Sequence, residues 1–160
     1  MNKKDVIHLL IFLGINFAGL GIRGFITKSG VASDWYQNLS KAPWTPPGWV
    51  FGVAWSLIKL CFAFYMTFLL KAYLQKNLSY KPIIILFAIQ WVLNLAWNPL
   101  FFSFHYTLIG LVVISALSIV VGYFLFNFNS LLKAKTMFIV PYFIWMIIAT
   151  SLNGYVVFFN

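Results

Sequence analysis

The chain has 160 residues, 62% hydrophobic and only 8% charged, with a net charge of +9 and a mean hydropathy of +0.91. A soluble domain carries roughly a quarter charged residues. Charge this sparse does not coat a water-facing surface, so the chain reads as an integral membrane protein, and its one cysteine, Cys61, excludes an internal disulfide or a cysteine-based zinc cluster. The cations are scattered over short segments rather than gathered on one face. That argues against nucleic acid as a partner, and for setting topology and touching anionic lipid headgroups.

Crossing the hydrocarbon core takes about 20 apolar residues in a helix. Five segments meet that length: 6–26, 47–73, 82–104, 107–128 and 136–159. A closed barrel is the other spanning solution, but runs such as Ile83-Ile84-Ile85-Leu86-Phe87 do not alternate in polarity. The expected fold is therefore all-α, a single five-helix transmembrane domain over residues 1–160.

Lys3 and Lys4 precede the first apolar run, as in a secretory signal. The run continues to Ile26, beyond the ~7–15 apolar residues of a signal core, so it reads as a retained span. It carries Gly14, Ala18 and Gly21 at helical spacing, which suits close helix packing, either within the chain or across a homodimer seam.

Four of the seven tryptophans then fall between Trp35 and Trp55, in a proline-stiffened loop that runs into span two. Thr45 is expected to cap that span, with Pro46 at its first position. Phe51, Trp55 and Lys59 share one face of it. A lysine at this depth costs roughly 2.5–3.5 kcal/mol on insertion scales, so Lys59 snorkels, lines a cavity or meets a ligand carboxylate; its mid-span place weakens the first reading.

Gln90, Asn94 and Asn98 recur every four residues on span three, with Trp97 beside them. Amides facing lipid are costly, so this stripe points into the bundle, for interhelical hydrogen bonds, for ligand binding, or for both. Pro99 is expected to loosen or kink the end of the span. Phe104-His105-Tyr106 leaves almost no loop, so spans three and four form a hairpin. On span five, Tyr142, Trp145, Ala149 and Asn153 share a face; read alone, they are ordinary aromatic packing, although a large side chain at Ala149 would close any gap there.

Five spans place the termini on opposite sides. Lys3, Lys4, Lys71, Lys76, Lys81, Lys133 and Lys135 fall on one side, and Arg23, Lys28 and Lys41 on the other. The positive-inside rule then puts the N-terminus in the cytoplasm and the Trp-rich loop outside. Asp5 and Asp34 are the two acids, both near the interfaces. The chain thus holds no paired carboxylates for acid–base work and no proton-relay acid. His8 and His105 lie towards opposite faces and do not jointly clamp a haem iron. No metal site and no required cofactor is expected.

Three blocks stand out in order along the chain. The first is Trp35-Tyr36 with Leu39, Lys41, Pro43 and Trp44, then Pro46-Pro47, Trp49-Val50, Gly52 and Trp55. The second is Leu93-Asn94, Ala96-Trp97, Pro99 and Phe101-Phe102, and the third is Pro141-Tyr142, Trp145, Thr150, Leu152 and Asn153. Through these blocks the chain resembles, along nearly its whole length, the translocator protein family, also called the peripheral-type benzodiazepine receptor or tryptophan-rich sensory protein family.

The resemblance implies a five-helix bundle of the cell membrane, often a homodimer, that binds porphyrins and isoquinoline or benzodiazepine ligands under the first loop. Carried over by position, Trp55, Asn94, Trp97, Trp145, Ala149 and Leu152 line that pocket, with Trp49 and Phe51 at its margin. The light-dependent breakdown of protoporphyrin known in the family maps onto Trp55 and Trp145. Leu152 and Tyr155 match part of the cholesterol-recognition pattern of vertebrate members, but no cation follows before Asn160, which favours a bacterial sensory or stress role over steroid handling. Lys59 matches no position of the family pattern. A membrane receptor for porphyrins is the leading expectation and a light-driven porphyrin-degrading enzyme the alternative. Transport of porphyrin or another lipophile is a third, with little in the sequence to couple it.

Overall fold

Proline and glycine punctuate the helices. The computed structural model of the protein describes residues 2–160. Helix α1 spans Lys3–Val31; α2 is a short loop helix, Asp34–Asn38; α3 spans Gly48–Gln75; α4 spans Lys81–Asn98; α5 spans Thr107–Asn127; α6 is Asn129–Leu132; and α7 spans Val140–Phe159. Five of these segments are long and apolar enough to cross a membrane, counting α4 with the turn after it and α6 with α7 as continuous spans. Among the described residues there is no strand, and the fold is the all-α bundle expected.

The caps explain the ends. Asn2 and Asp5 form a reciprocal capping box that opens α1. Asp5 also pairs with Lys71 at 2.5 Å, tying the start of α1 to the end of α3. At the other end of the bundle, Ser40 N–H donates to the Asn160 side chain at 2.7 Å, tying the Trp-rich loop to the end of α7. The termini therefore lie at opposite ends.

One expected cap is corrected. Thr45 does not open α3: its hydroxyl donates to the Ala42 carbonyl at 2.7 Å, and the helix starts at Gly48 after Pro47. The residue before a proline is driven out of helical geometry. Pro46 precedes Pro47, so no helix can begin at Pro46.

Pro99 acts as expected. Without its N–H the α-ladder is interrupted, and Pro99–Ser103 winds as a π-turn, with Phe104 N–H donating to the Pro99 carbonyl at 2.9 Å. His105, with φ at 57°, reverses the chain into α5. Span five begins less regularly: a 3-10 stretch, Lys133–Ile139, leads into α7.

Helix α3 is the most buried of the spans. Its Phe62 stacks on Tyr65 and Phe87 and meets Phe124 and Tyr142 edge-on, which fills the half of the bundle nearer the N-terminus with aromatic packing. A smaller cluster, Phe101, Phe102 and Val156, sits under α2 at the loop end. The polar stripe of α4 runs between the two.

Candidate functional site

Helical spacing on α4 carries Gln90, Asn94 and Asn98 inward, and all three are buried. Asn94 is the hub. Its Nδ2 donates to the Tyr142 hydroxyl at 2.8 Å, and Gln90 Nε2 donates to the same oxygen at 2.5 Å. Its Oδ1 accepts from Arg23 Nη1 at 2.7 Å and from Lys59 Nζ at 3.2 Å. One amide thus links α1, α3, α4 and α7.

Aromatic rings surround the hub. Trp55 meets Tyr142 and Trp145 edge-on, with centroids 6.0 and 6.4 Å apart, and Phe51 meets Trp145 at 5.4 Å. The Arg23 guanidinium lies 4.0 Å from the Trp55 ring centroid. Lys59 Nζ is 5.6 Å from Trp55 and 5.7 Å from Tyr142. Lys59 is 1% exposed, so it points inward rather than snorkelling.

Of the residues singled out in the sequence, Phe51, Trp55, Asn94 and Trp145 converge here. Trp97 joins a neighbouring group nearer the loop: its indole N–H donates to Asn153 Oδ1 at 2.9 Å and its ring stacks on Phe101 at 5.2 Å. Ala149 and Leu152 are half-buried on α7. Trp49 stays apart, 71% exposed on the outer surface of the bundle.

The Trp-rich loop closes over this end. Trp35 stacks on His105 at 4.0 Å, Tyr36 packs on Phe102, and the Trp44 indole donates to the Ser151 hydroxyl at 3.1 Å.

Arg23 and Lys59 stand among these rings, each within reach of Asn94 Oδ1 and the Trp55 ring. A hollow of about 350 Å³ lies at the far end of the bundle beside Lys133 and Thr136. Another, of about 300 Å³, opens on the outer face between α3 and α7, with Trp145 on its wall. Helix α1 runs five residues past the expected end at Ile26 to Val31, so Arg23 lies eight residues before its end.

Arg23 is the residue that sequence reasoning misplaced, by grouping it with the loop-side cations. It is 4% exposed. Asn16 lies seven positions earlier and is also fully buried; that spacing puts both on one helix face, and it was the available signal.

Donors and acceptors are both left over around the hub. Arg23 Nε, Gln90 Oε1 and both amide atoms of Asn16 are buried without partners. Among the described residues the single ion pair is Lys71–Asp5, at the other end.

The family model of the TspO/MBR family matches residues 11–159. The chain belongs to that family. It is 31% identical over 151 residues to "Tryptophan-rich protein TspO" of Chlorobaculum tepidum, covering 94% of both chains. Against the protein of the same name from Archaeoglobus fulgidus it is 33% identical over 150 residues, covering 94% of this chain and 92% of the other. The human "Translocator protein" is 29% identical over 129 residues, covering 78% and 73%. As a TspO/MBR member with five apolar helices, the chain is a multi-pass membrane protein. Chemically, this member's site offers indole faces for stacking, amides for orientation and two cations.

Proposed function

We propose that this chain is a receptor of the cell membrane for flat aromatic ligands of the porphyrin class, with a sensory or stress-related role and a second affinity for isoquinoline- and benzodiazepine-type compounds. The names of its relatives, sensory and translocator proteins, support a receptor role of this kind. The observation that carries the reading is the meeting of Trp55, Trp145 and Phe51 around Tyr142 and Asn94, beneath a loop packed on the π-turn and α7. Indole faces stack on a macrocycle and amides fix its orientation. Because Arg23 covers Trp55, a ligand enters by exchanging that cation–π contact for its own stacking. The N-terminus is cytoplasmic in this reading, and the protein works as a homodimer.

The test is a titration of protoporphyrin IX into purified protein. Saturable quenching of tryptophan fluorescence is expected, weakened in Trp55→Leu. Unchanged fluorescence with no saturable binding removes the proposal.

A second reading is favoured by the 6.4 Å separation of Trp55 and Trp145. A porphyrin bound against them and excited by light takes an electron from an indole; dioxygen adds to the reduced macrocycle, and the adduct returns the electron to the indole radical cation and opens at a methine carbon, so both oxygen atoms stay in the product and the indole is restored. Loss of the porphyrin absorption band under illumination measures it. Equal loss rates in wild type, Trp55→Phe and Trp145→Phe dismiss these indoles as the electron donors.

A further inference from the structure

Two cations share one neutral acceptor at membrane depth. Lys59 lies eleven residues into α3, about 17 Å along its axis, and Arg23 lies eight residues short of the end of α1, about 12 Å. With a hydrocarbon core of about 30 Å, both sit well inside. Arg23 offers five N–H donors and Lys59 three, yet the acceptor both are given is Asn94 Oδ1. The chain's two acids are spent elsewhere or exposed: Asp5 is held by Lys71, and Asp34 opens the exposed first turn of α2. Indole and phenol faces offset part of the charge. Buried charges are otherwise paired or bound to a counter-ion.

We propose that Arg23 and Lys59 form a buried seat for one singly charged anionic group, delivered as the carboxylate of a flat aromatic ligand, with a small inorganic anion as the other source of the same chemistry. The aromatic half of this inference rests on the ligand reading above; the anionic half does not. Arg23 Nε, buried and unpartnered, is a free donor for the incoming group. Lys59 Nζ and Arg23 Nη1 already meet at one oxygen, so a carboxylate replacing Asn94 as their shared acceptor needs a modest rearrangement. A neutral ligand of the same shape leaves the two cations as they are. Ligand charge, and not shape alone, then decides affinity.

The experiment compares protoporphyrin IX with its uncharged dimethyl ester, by fluorescence titration of the full chain in lipid nanodiscs. In parallel, the melting temperature is read with benzoate, with benzamide as its neutral counterpart, and with chloride added to a chloride-free buffer. The wild type is expected to bind the free acid about 10- to 100-fold more tightly than the ester, the range for a hydrogen bond to a charged group. Lys59→Met brings that ratio towards one and raises the melting temperature of the unliganded protein, because an unpaired buried charge is gone. Lys59→Arg keeps the preference.

Stabilisation by benzoate but not benzamide assigns the seat to carboxylates. Stabilisation by chloride alone keeps the seat and assigns it to inorganic anions. Should neither porphyrin form bind, the porphyrin reading fails, while the benzoate and chloride arms still decide the seat. Equal affinity for acid and ester, with no response to benzoate or chloride, overturns it. The wild-type comparisons stand even if Lys59→Met does not fold, and Arg23→Gln then replaces it.

Discussion

At the scale of single residues, Asn94 does work that no other side chain duplicates. Its oxygen serves two cations and its nitrogen serves Tyr142. Asn94→Leu strands both cations and loosens the Tyr142 hydroxyl. Breaking a buried charged network in this way costs about 3–5 kcal/mol, and the melting temperature in detergent should fall sharply. Asn94→Asp acts in the opposite sense, because it places a carboxylate within 2.7 Å of Arg23 and 3.2 Å of Lys59. The protein should melt higher than wild type and bind protoporphyrin more weakly, since its cations are already neutralised. A substitution that lowers both quantities would mean that the two charges are not what sets the stability of the core. The inward stripe of α4 was legible from its four-residue spacing, and the depth of Lys59 from its place in the apolar run. The end of α1 was not, because hydropathy marks where apolar residues stop and not where the hydrogen-bonded ladder stops. Gly24, Thr27, Lys28, Ser29 and Gly30 weaken the apolar signal, yet α1 continues through them.

At the scale of elements, the same distinction separates what could be read from what could not. The spans were legible because lipid demands length and apolarity. The π-turn at Pro99–Ser103 and the 3-10 entry to α7 are matters of hydrogen-bond register, which composition does not record. Pro99 gave warning of the first, through its missing donor. The consequence of that turn is local and testable. It swings Phe102 onto the end of α1, where a Cβ added at Gly30 would stand 2.5 Å from the Phe102 Cβ. The loop helix α2 rests on the same cluster, through Tyr36 on Phe102 and Trp35 on Phe101. Gly30→Ala therefore overpacks the joint between α1, the π-turn and the loop. A cost of about 1–3 kcal/mol is expected, with faster proteolysis inside residues 32–47 as the loop lifts. Gly24→Ala serves as the control, since a Cβ there meets nothing within 4 Å; equal losses from the two would show that helix propensity, and not the contact with Phe102, sets the effect.

At the scale of the whole molecule, the burial of Arg23 sharpens the charge asymmetry. Lys3, Lys4, Lys71, Lys76, Lys81, Lys133 and Lys135 all belong to the N-terminal end of the bundle, and with Arg23 withdrawn the loop end keeps Lys28 and Lys41. With the positive-inside rule, a reporter fused to the N-terminus should be active in the cytoplasm and one fused after Asn160 outside it; the reverse pattern would refute the orientation. Assembly follows from what α1 leaves uncovered. Gly14, Ala18 and Gly21 are exposed, and a Cβ at Gly14 or Gly21 meets nothing within 4 Å. Packing within the chain, one of two readings of that stripe, is therefore not its use. Small residues on a lipid-facing helix allow backbones of two chains to approach closely, and van der Waals contact then replaces the missing hydrophobic drive. If the homodimer proposed above forms through this face, Gly14→Ile and Gly21→Ile should lower the dimer fraction at dilute protein-to-lipid ratio, read by single-molecule photobleaching in liposomes. They should leave the melting temperature of the monomer in detergent near that of wild type, because neither side chain meets the rest of the fold. A dimer fraction unchanged by both substitutions would place the seam on another helix.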